Sequence, residues 1–301
     1  MSDRVWLASY PKSGNTWMRM LIGCLALKDV ETIDINQTAE SGGIASSRAA
    51  FDFVTLLDSG LLTFDEIDRL RPRVYELQEQ NLREHLTDED EMPATVFVKA
   101  HDAYTFNSLG EPVLGGAGGA RSAILIVRDP RDMVASLANH NQSTLDEAIE
   151  GMNSSETAMC AKPGRQHGQL RQILQGWSGH AASWLDQRDI PVHLVRYEQL
   201  KQDPVNTFMA AMSFAGRQIS VAEAEKAIQL ADFSQLQARE RDQGFGEKPP
   251  KVTAFFRKGQ MGGWREELTE DQVRRVEEAH RPMMERLGYE PSVALARAVS
   301  A

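Results

Sequence analysis

Four short apolar runs separated by helical patterns constrain the fold of this chain more than any other feature. The runs are Val5–Ala8, Thr95–Val98, Ala123–Val127 and Val192–Val195. Continuous apolar runs of this length are typical of parallel strands that are buried on both faces of a sheet. Because helical patterns lie between the runs, the sequence predicts an α/β fold in which helices flank both faces of a central parallel sheet.

The domain organisation follows from the length and from what interrupts this pattern. The 301 residues hold neither an internal repeat nor a low-complexity tract, so we expect a single domain over residues 1–301. Two segments, 30–92 and 140–180, lack strand signals, and we interpret them as insertions that shape a ligand site. Two capping boxes predict helix starts near residues 221 and 270.

The charge balance argues against two classes of partner. Lys and Arg number 33 and Asp and Glu number 43, which gives a formal net charge of −10. Binding to nucleic acid or to an anionic membrane needs a broadly electropositive face, so we expect neither partner. An anionic ligand would instead need a local basic pocket.

The two cysteines, Cys24 and Cys160, are far apart and neither has a neighbour at metal-ligand spacing. The sequence therefore predicts neither a disulfide nor a zinc site. The apolar run around Cys24 is too short to span a bilayer, and it follows a glycine turn instead of a basic signal-peptide start. We expect a reducing, cytoplasmic setting.

The loop after the first apolar run has the composition of an anion-binding turn. It reads Tyr-Pro-Lys-Ser-Gly-Asn-Thr-Trp from residue 10 to residue 17. Gly14 permits a sharp turn, so that N–H groups converge at the positive end of the next helix, where Ser13 and Thr16 add hydroxyl donors. Because the lysine precedes the glycine and no carboxylate signature for magnesium accompanies it, the loop disfavours a metal-dependent NTPase. An ordinary strand-to-helix turn with an exposed lysine, which binds no anion, would have the same sequence pattern.

Two further basic segments are candidates for a second phosphate. Arg128 follows the third run, at the edge where parallel sheets bind ligands, and Ser136 lies two turns along the helix that Pro130 opens. Taken alone, Arg128 and Asp129 would more simply form a surface ion pair. In the second segment, Arg257 and Lys258 precede a glycine-rich stretch that begins at Gly259. If the segment binds no phosphate, it is a solvated basic loop.

A cation and a potential base follow the second run. Lys99 and His101 are two residues apart, so they project to the same side of the strand. Asp102 comes next, and it either orients His101 or points into solvent. The rival base is His180, which shares a helical face, usually a core stripe, with Trp177 and Trp184.

These motifs together resemble those of the cytosolic sulfotransferase family. Residues 10–17 are similar to the family's Y-P-K-S-G-T-T-W loop, and residues 98–102 to its K-T-H segment. The segments that begin at Arg128 and Arg257 are similar to its R-[ND]-P-[KR]-D-x-x-x-S and R-K-G-x-x-G-x-W elements. All of them occur in family order, and the departures are Asn15, Ala100 and Asp102.

The resemblance implies a P-loop NTPase-like fold and a co-substrate, 3′-phosphoadenosine 5′-phosphosulfate (PAPS), with its desulfated product PAP and no metal. It implies that His101 is the general base and that Lys12 and Lys99 stabilise charge on the transferred group. The residues that would bind the donor are Lys12, Ser13, Gly14, Asn15, Thr16, Trp17, Arg128, Ser136, Tyr197, Phe233, Arg257, Lys258 and Gly259. The aromatic members would flank the adenine, although each would also fit an ordinary core.

The sequence therefore predicts an enzyme that transfers a sulfuryl group from PAPS to a hydroxyl or amine of a small-molecule acceptor by in-line displacement. Phenol, alcohol and amine acceptors all stay open. The alternatives are a P-loop small-molecule or nucleotide kinase, which would need magnesium and ATP, and a catalytically silent protein that binds PAP or PAPS. Because Glu270 and Arg274 depart from the family's pairing motif at 265–274, we expect a monomer or a dimer through another surface.

Overall fold

The computed structural model describes residues 3–27, 32–36, 41–85, 95–162 and 167–292. Its main sheet has five parallel strands in the order β2-β3-β1-β4-β7. These strands are β1 Arg4–Ser9, β2 Ser41–Ile44, β3 Val96–Ala100, β4 Ser122–Val127 and β7 Val192–Arg196. The four predicted strands are confirmed, and so is the parallel α/β sheet that they form.

Alternation along the central strands places a core on each face of the sheet. On β1, Trp6 and Ala8 belong to one buried cluster, while Val5 and Leu7 belong to the other. Successive side chains of a strand point to opposite faces, so both faces must be covered. All six residues of β1 are buried, as expected for a strand at the centre of a three-layered fold.

The helices cover both faces of the sheet. They are α1 Asn15–Cys24, α2 Arg48–Thr55, α3 Phe64–His85, α4 Gly116–Gly119, α5 Pro130–Asn141, α6 Leu145–Asn153, α7 Gly176–Asp186, α8 Tyr197–Gln202, α9 Pro204–Phe214, α10 Val221–Leu230, α11 Phe233–Gln243, α12 Trp264–Glu267 and α13 Glu270–Arg286. Helices α10 and α13 begin at the predicted capping boxes, whose N-cap residues are Ser220 and Thr269. None of the helices in the described part of the chain is long and apolar enough to cross a membrane.

Segments 30–92 and 140–180, which lack strand signals in the sequence, nevertheless hold three short strands among the described residues. Strand β2 lies in the first, at the edge of the sheet, and pairs with β3 through Ser41 and Ile44. A two-stranded antiparallel sheet lies in the second, formed by β5 Ala158–Met159 and β6 Gln172–Ile173. Strands this short, and at an edge, need no apolar run, so the sequence carries little signal for them.

Parallel strands end at the same edge of a sheet, and this determines where the loops meet. The carboxyl ends of β1, β3, β4 and β7 lead into the loop at 10–14, into His101, into Arg128 and into Tyr197. Four distant parts of the sequence are thereby brought to one edge.

Candidate active site at the carboxyl edge of the sheet

A cavity of about 630 Å³ opens at this edge. All the residues that the resemblance assigns to donor binding or catalysis, apart from Ser13, line it: Lys12, Gly14, Asn15, Thr16, Trp17, Lys99, His101, Arg128, Ser136, Tyr197, Phe233, Arg257, Lys258 and Gly259. A cavity of this size is typical of small-molecule sites. The sequence motifs therefore converge on one place in the fold.

The loop between β1 and α1 is a tight turn held by its own backbone. Lys12 and Gly14 have positive φ angles of 72° and 107°. A Cβ on Gly14 would lie 2.6 Å from Cδ2 of Tyr197, so only glycine fits against that ring. The hydroxyl of Ser13 donates to the carbonyl of Tyr10 at 2.8 Å, and Ser13 is fully buried. In this structure the hydroxyl closes the turn, and its contact with a ligand stays a prediction.

Asn15 supports the loop from beneath. Its side-chain amide donates to the carbonyl of Leu7 at 2.8 Å and to the hydroxyl of Ser9 at 3.2 Å. Both donors are thus used on β1, and the backbone N–H of Asn15, at the first turn of α1, is the group left for an anion. The departure from threonine at this position changes the support of the loop.

Lys12 carries its charge in a crowded basic environment. Its Nζ lies 3.8 Å from the ring centroid of Phe255. Burial, and then the charges of Lys99 and Arg128, lower the pKa of Lys12 to about 8. Cations that disfavour one another's charge in this way are the expected lining of a site for an anion.

The geometry around His101 assigns the role of each ring nitrogen. Nδ1 lies 2.8 Å from the carbonyl oxygen of Ser9, which can only accept, so Nδ1 carries the proton. Nε2 is then the nitrogen with the free lone pair. Burial, and then the charge of Lys99, hold the pKa of His101 well below its usual value, so the ring is neutral near pH 7. This is the state that a general base requires.

His180, the alternative candidate for the base, has a structural role. Its Nε2 lies 3.2 Å from the carbonyl oxygen of His101, so Nε2 is protonated and donates. The residue is 1% exposed and is absent from the cavity lining. The expected core stripe on α7 is confirmed, because Trp177 and Trp184 are equally buried.

Each polar atom of that stripe holds the end of a strand. The indole N–H of Trp177 donates to the carbonyl of Arg128 at 3.2 Å, and that of Trp184 donates to the carbonyl of Asp102 at 3.0 Å. With His180, three ring nitrogens of α7 therefore position the backbone at the ends of β3 and β4. We refer to Trp177, His180 and Trp184 as the α7 clamp.

Asp102 neither orients His101 nor points into solvent, so both expectations for it were wrong. Its carboxylate accepts two hydrogen bonds from the guanidinium of Arg71, at 2.9 and 3.0 Å, and both side chains are buried. Arg71 belongs to α3, inside the segment predicted to cover a ligand. This part of the segment is instead scaffold, since it anchors the residue next to the candidate base.

Arg128 faces the cavity and does not pair with Asp129. Its guanidinium donates to the carbonyl of Gln260 at 2.9 Å and lies 4.6 Å from the ring centroid of Tyr197. Asp129 pairs with Arg131 at 2.6 Å, so the expected ion pair between Arg128 and Asp129 does not form. The Nε of Arg128 is buried and has no hydrogen-bond partner among the described residues, which suits an anion at this point.

The late basic segment folds over the start of α5. Asp132 accepts from the backbone N–H groups of Gly262 at 2.6 Å and Trp264 at 3.0 Å, a role that sequence reasoning missed. Arg257 and Lys258 both pair with Glu267. A Cβ on Gly259 would lie 2.5 Å from the ring of Phe233, so this glycine permits a close approach like that of Gly14.

Trp17, Tyr197 and Phe233 line the cavity beside the loop at 10–17. The rings of Trp17 and Tyr197 are 5.9 Å apart and meet edge to face. The indole of Trp17 donates to the carbonyl of Ala231 at 3.0 Å, and the hydroxyl of Tyr197 donates to that of Gly259 at 3.1 Å. Both rings are fixed in place, so the cavity presents preset apolar faces to a flat group such as a purine.

Sequence reasoning missed the acidic residue that faces Lys99, which no local pattern marks. Glu247 accepts from Lys99 at 3.1 Å and from Arg19 at 2.5 Å. Burial raises the pKa of Glu247, but Lys99 and Arg19 outweigh it and the pKa falls below its usual value. His140, one helical turn after Ser136, also lines the cavity, and that spacing is the signal that could have found it.

In the described part of the chain, no group of three or more His, Cys, Asp or Glu side chains is arranged to hold a metal ion.

Comparison with known proteins gives a family match and distant relatives. A family model described as sulfotransferase domain matches residues 2–288. Human sulfotransferase 2B1 is 25% identical over 94% of this chain and 66% of its own length. Luciferin sulfotransferase of Photinus pyralis is 22% identical over 90% of this chain and 69% of its own length. The chain thus spans about two thirds of the length of these curated relatives.

Solved structures share the fold at low sequence identity. Mouse sulfotransferase SULT7A1, complexed with PAP, superposes with a TM-score of 0.57 at 19% identity, covering 94% of this chain and 85% of the other. Retinol dehydratase in complex with androsterone and the inactive cofactor PAP gives 0.57 at 17% identity, covering 98% and 83%. At this identity the likeness concerns the fold, which is the P-loop NTPase-like fold that the sequence predicted.

Proposed function

Since the chain belongs to the sulfotransferase family, we propose that it transfers a sulfuryl group from PAPS to a hydroxyl or amine of a small-molecule acceptor. The observation that carries this proposal is the convergence of the phosphate loop, the basic segments and His101 on one cavity. A kinase reading has less support, because the family match runs over nearly the whole chain and the loop departs from the magnesium-dependent pattern.

We propose that the donor lies across the strand ends. Its 5′ end would meet Lys12 and the N–H groups at the start of α1, where the loop and the helix end favour an anion. The adenine would lie against the aromatic side chains of Trp17, Tyr197 and Phe233. The 3′-phosphate would meet Arg128, Ser136, Arg257, Lys258 and Gly259.

The proposed reaction is an in-line displacement at sulfur. A bond forms from the acceptor oxygen or nitrogen to sulfur as the bond from sulfur to the bridging oxygen of PAPS breaks, which leaves PAP. Nε2 of His101 takes the acceptor's proton. Lys12 is assigned to the negative charge that develops on the bridging oxygen, and Lys99 to the sulfuryl oxygens.

The acceptor would be a small molecule that reaches His101 from the side of the two long segments. Gly43 and Ile44 of the first segment, and Met159 and Gln169 of the second, line the cavity. This supports the expectation that these segments shape the acceptor site, although α3 serves the scaffold. Phenol, alcohol and amine acceptors are all compatible with a base that removes one proton.

Assembly and setting also enter as proposals. We expect a monomer, or a dimer that does not use residues 265–274, because Arg274 in that segment pairs with Glu278 of its own helix at 3.0 Å. We also expect a cytoplasmic protein that needs no metal and binds neither nucleic acid nor membrane. Light scattering after gel filtration of the full chain tests the assembly, with crosslinks between the 265–274 segments of two subunits as the contradicting result.

The experiment that tests the function has a binding step and a turnover step. PAP should raise the melting temperature of the protein, because a ligand that binds the folded state stabilises it by mass action. Labelled PAPS with a panel of phenols, alcohols and amines should then yield a sulfated product. Stabilisation by Mg-ATP without any by PAP would support a kinase, and PAP binding without turnover on any acceptor would support a silent binding protein.

A further inference from the structure

A carboxylate of the chain itself occupies the cations assigned to the donor's 3′-phosphate. Glu267, the last residue of α12, accepts two hydrogen bonds from the guanidinium of Arg257, at 2.9 and 3.0 Å. Its Oε1 also lies 2.7 Å from Nζ of Lys258. A bidentate contact with an arginine and a second cation is also the arrangement by which proteins hold a phosphate.

Glu267 is ionised and lies on the wall of the cavity. Burial raises its pKa, but hydrogen bonds from Arg257 and Lys258 outweigh this and lower the pKa below its usual value. The side chain of Glu267 is 17% exposed, and those of its partners are 33% and 44% exposed. The carboxylate can therefore turn toward water without crossing a packed core.

The charge balance does not allow a phosphate to join this cluster unchanged. Arg257 and Lys258 contribute two positive charges and Glu267 contributes one negative charge, so the cluster is positive by a single charge. A phosphate monoester carries roughly 1.5 to 2 negative charges at pH 7. If Glu267 stayed in place, like charges would meet on the same two cations.

We propose that Glu267 competes with the 3′-phosphate for Arg257 and Lys258, and that it thereby weakens the hold on PAP and speeds its release. This inference rests on the proposed function. Arg128 differs in this respect, since its guanidinium donates to the backbone carbonyl of Gln260 and its buried Nε has no hydrogen-bond partner among the described residues. Glu267 therefore sets how much affinity the 3′-phosphate adds to the rest of the nucleotide.

The neighbouring Glu266 provides a matched control. It is exposed, belongs to the same short helix, and its replacement by glutamine removes the same charge. Calorimetric titration of the full chain with PAP, and with adenosine 5′-phosphate, which lacks the 3′-phosphate, compares wild type with E267Q and E266Q. We expect E267Q to bind PAP about fivefold more tightly and adenosine 5′-phosphate unchanged, because a partly exposed ion pair is lost as a competitor. E266Q should match wild type with both ligands.

The direction of the change in PAP affinity decides whether Glu267 competes with the 3′-phosphate or holds the cations in place for it. Weaker or unchanged PAP binding by E267Q would overturn the inference, since Glu267 would then hold the cations in place for the ligand or have no part in binding. Stopped-flow displacement of PAP gives a second readout, in which E267Q should release PAP more slowly. Glu267→Asp, which keeps the charge, should lie close to wild type, and failure of wild type to bind PAP would instead contradict the proposed function.

Discussion

The two halves of the cavity are built in different ways. In the half proposed to bind the donor, which comprises the loop at 10–17, Arg128, Tyr197 and the 257–259 segment, most residues directly follow the end of a buried strand. In the half proposed to take the acceptor, the lining comes from the edge strand β2, from Met159 and Gln169, and from the 246–256 loop. Site residues that directly follow a buried strand can therefore be predicted from the sequence, whereas site residues on long loops have no local sequence pattern that marks them.

His101→Ala is the change with the largest expected effect, and it should affect one half alone. We expect kcat to fall by about 100- to 10,000-fold, the usual contribution of a general base. The Kd of PAP should stay within about twofold of wild type, because the imidazole acts on the acceptor. Steady-state kinetics and PAP titration measure the two effects. A large loss of PAP affinity would break the division into halves, and near-normal turnover would remove His101 as the base.

Arg257→Ala should act on the other half. The lost charge-assisted contact should weaken PAP binding by about 10- to 30-fold. Binding of adenosine 5′-phosphate should hardly change, because that nucleotide lacks the 3′-phosphate. Calorimetry with both ligands measures the difference. Equal losses for both nucleotides would indicate that Arg257 supports the whole cavity instead of one phosphate.

Lys12 lies where the halves meet, and its titration should limit activity at high pH. Because burial and neighbouring cations lower its pKa to about 8, its ammonium loses the proton as pH rises through that value. We expect kcat/KM of wild type to fall about tenfold per pH unit above this point, since the charged form is the one that stabilises the leaving group. In Lys12→Arg the guanidinium stays protonated, so the falling limb should disappear. An unchanged limb in that variant would assign it to another group.

Substitutions in the α7 clamp should affect each half of the cavity separately, with smaller effects on binding and turnover. Trp177→Phe leaves the carbonyl of Arg128 without its donor, and Trp184→Phe does the same to Asp102. Each should lower the free energy of unfolding by about 1–3 kcal/mol. We expect Trp177→Phe to raise the Kd of PAP about threefold, and Trp184→Phe to lower kcat about threefold, because small displacements of reacting groups slow catalysis. Matching effects in the two variants would show that the clamp acts as one unit.

Sequence patterns predicted the parallel sheet and the convergence of the motifs, because both depend on buried runs and on the residues next to them. They failed where a side chain chooses between partners that are distant in sequence. Asp102 pairs with Arg71, 31 residues away, and Lys99 pairs with Glu247, 148 residues away. The hydroxyl of Ser13 donates within its own turn, a partner that the sequence pattern did not predict, since a turn can use the same donor that a ligand could use.

The α7 clamp has a consequence for the order in which a newly made chain acquires its parts. Trp184 follows Asp102 by 82 residues, and Trp177 follows Arg128 by 49, so the ribosome makes both strand ends well before the helix that holds them. Strands β1, β3 and β4 can pair as soon as they have emerged, because their contacts lie within the first 127 residues. The carbonyls at their ends must remain hydrated until α7 docks. We therefore expect a nascent chain to form most of its sheet before α7 positions the strand ends, so that the site is completed only in the later part of synthesis.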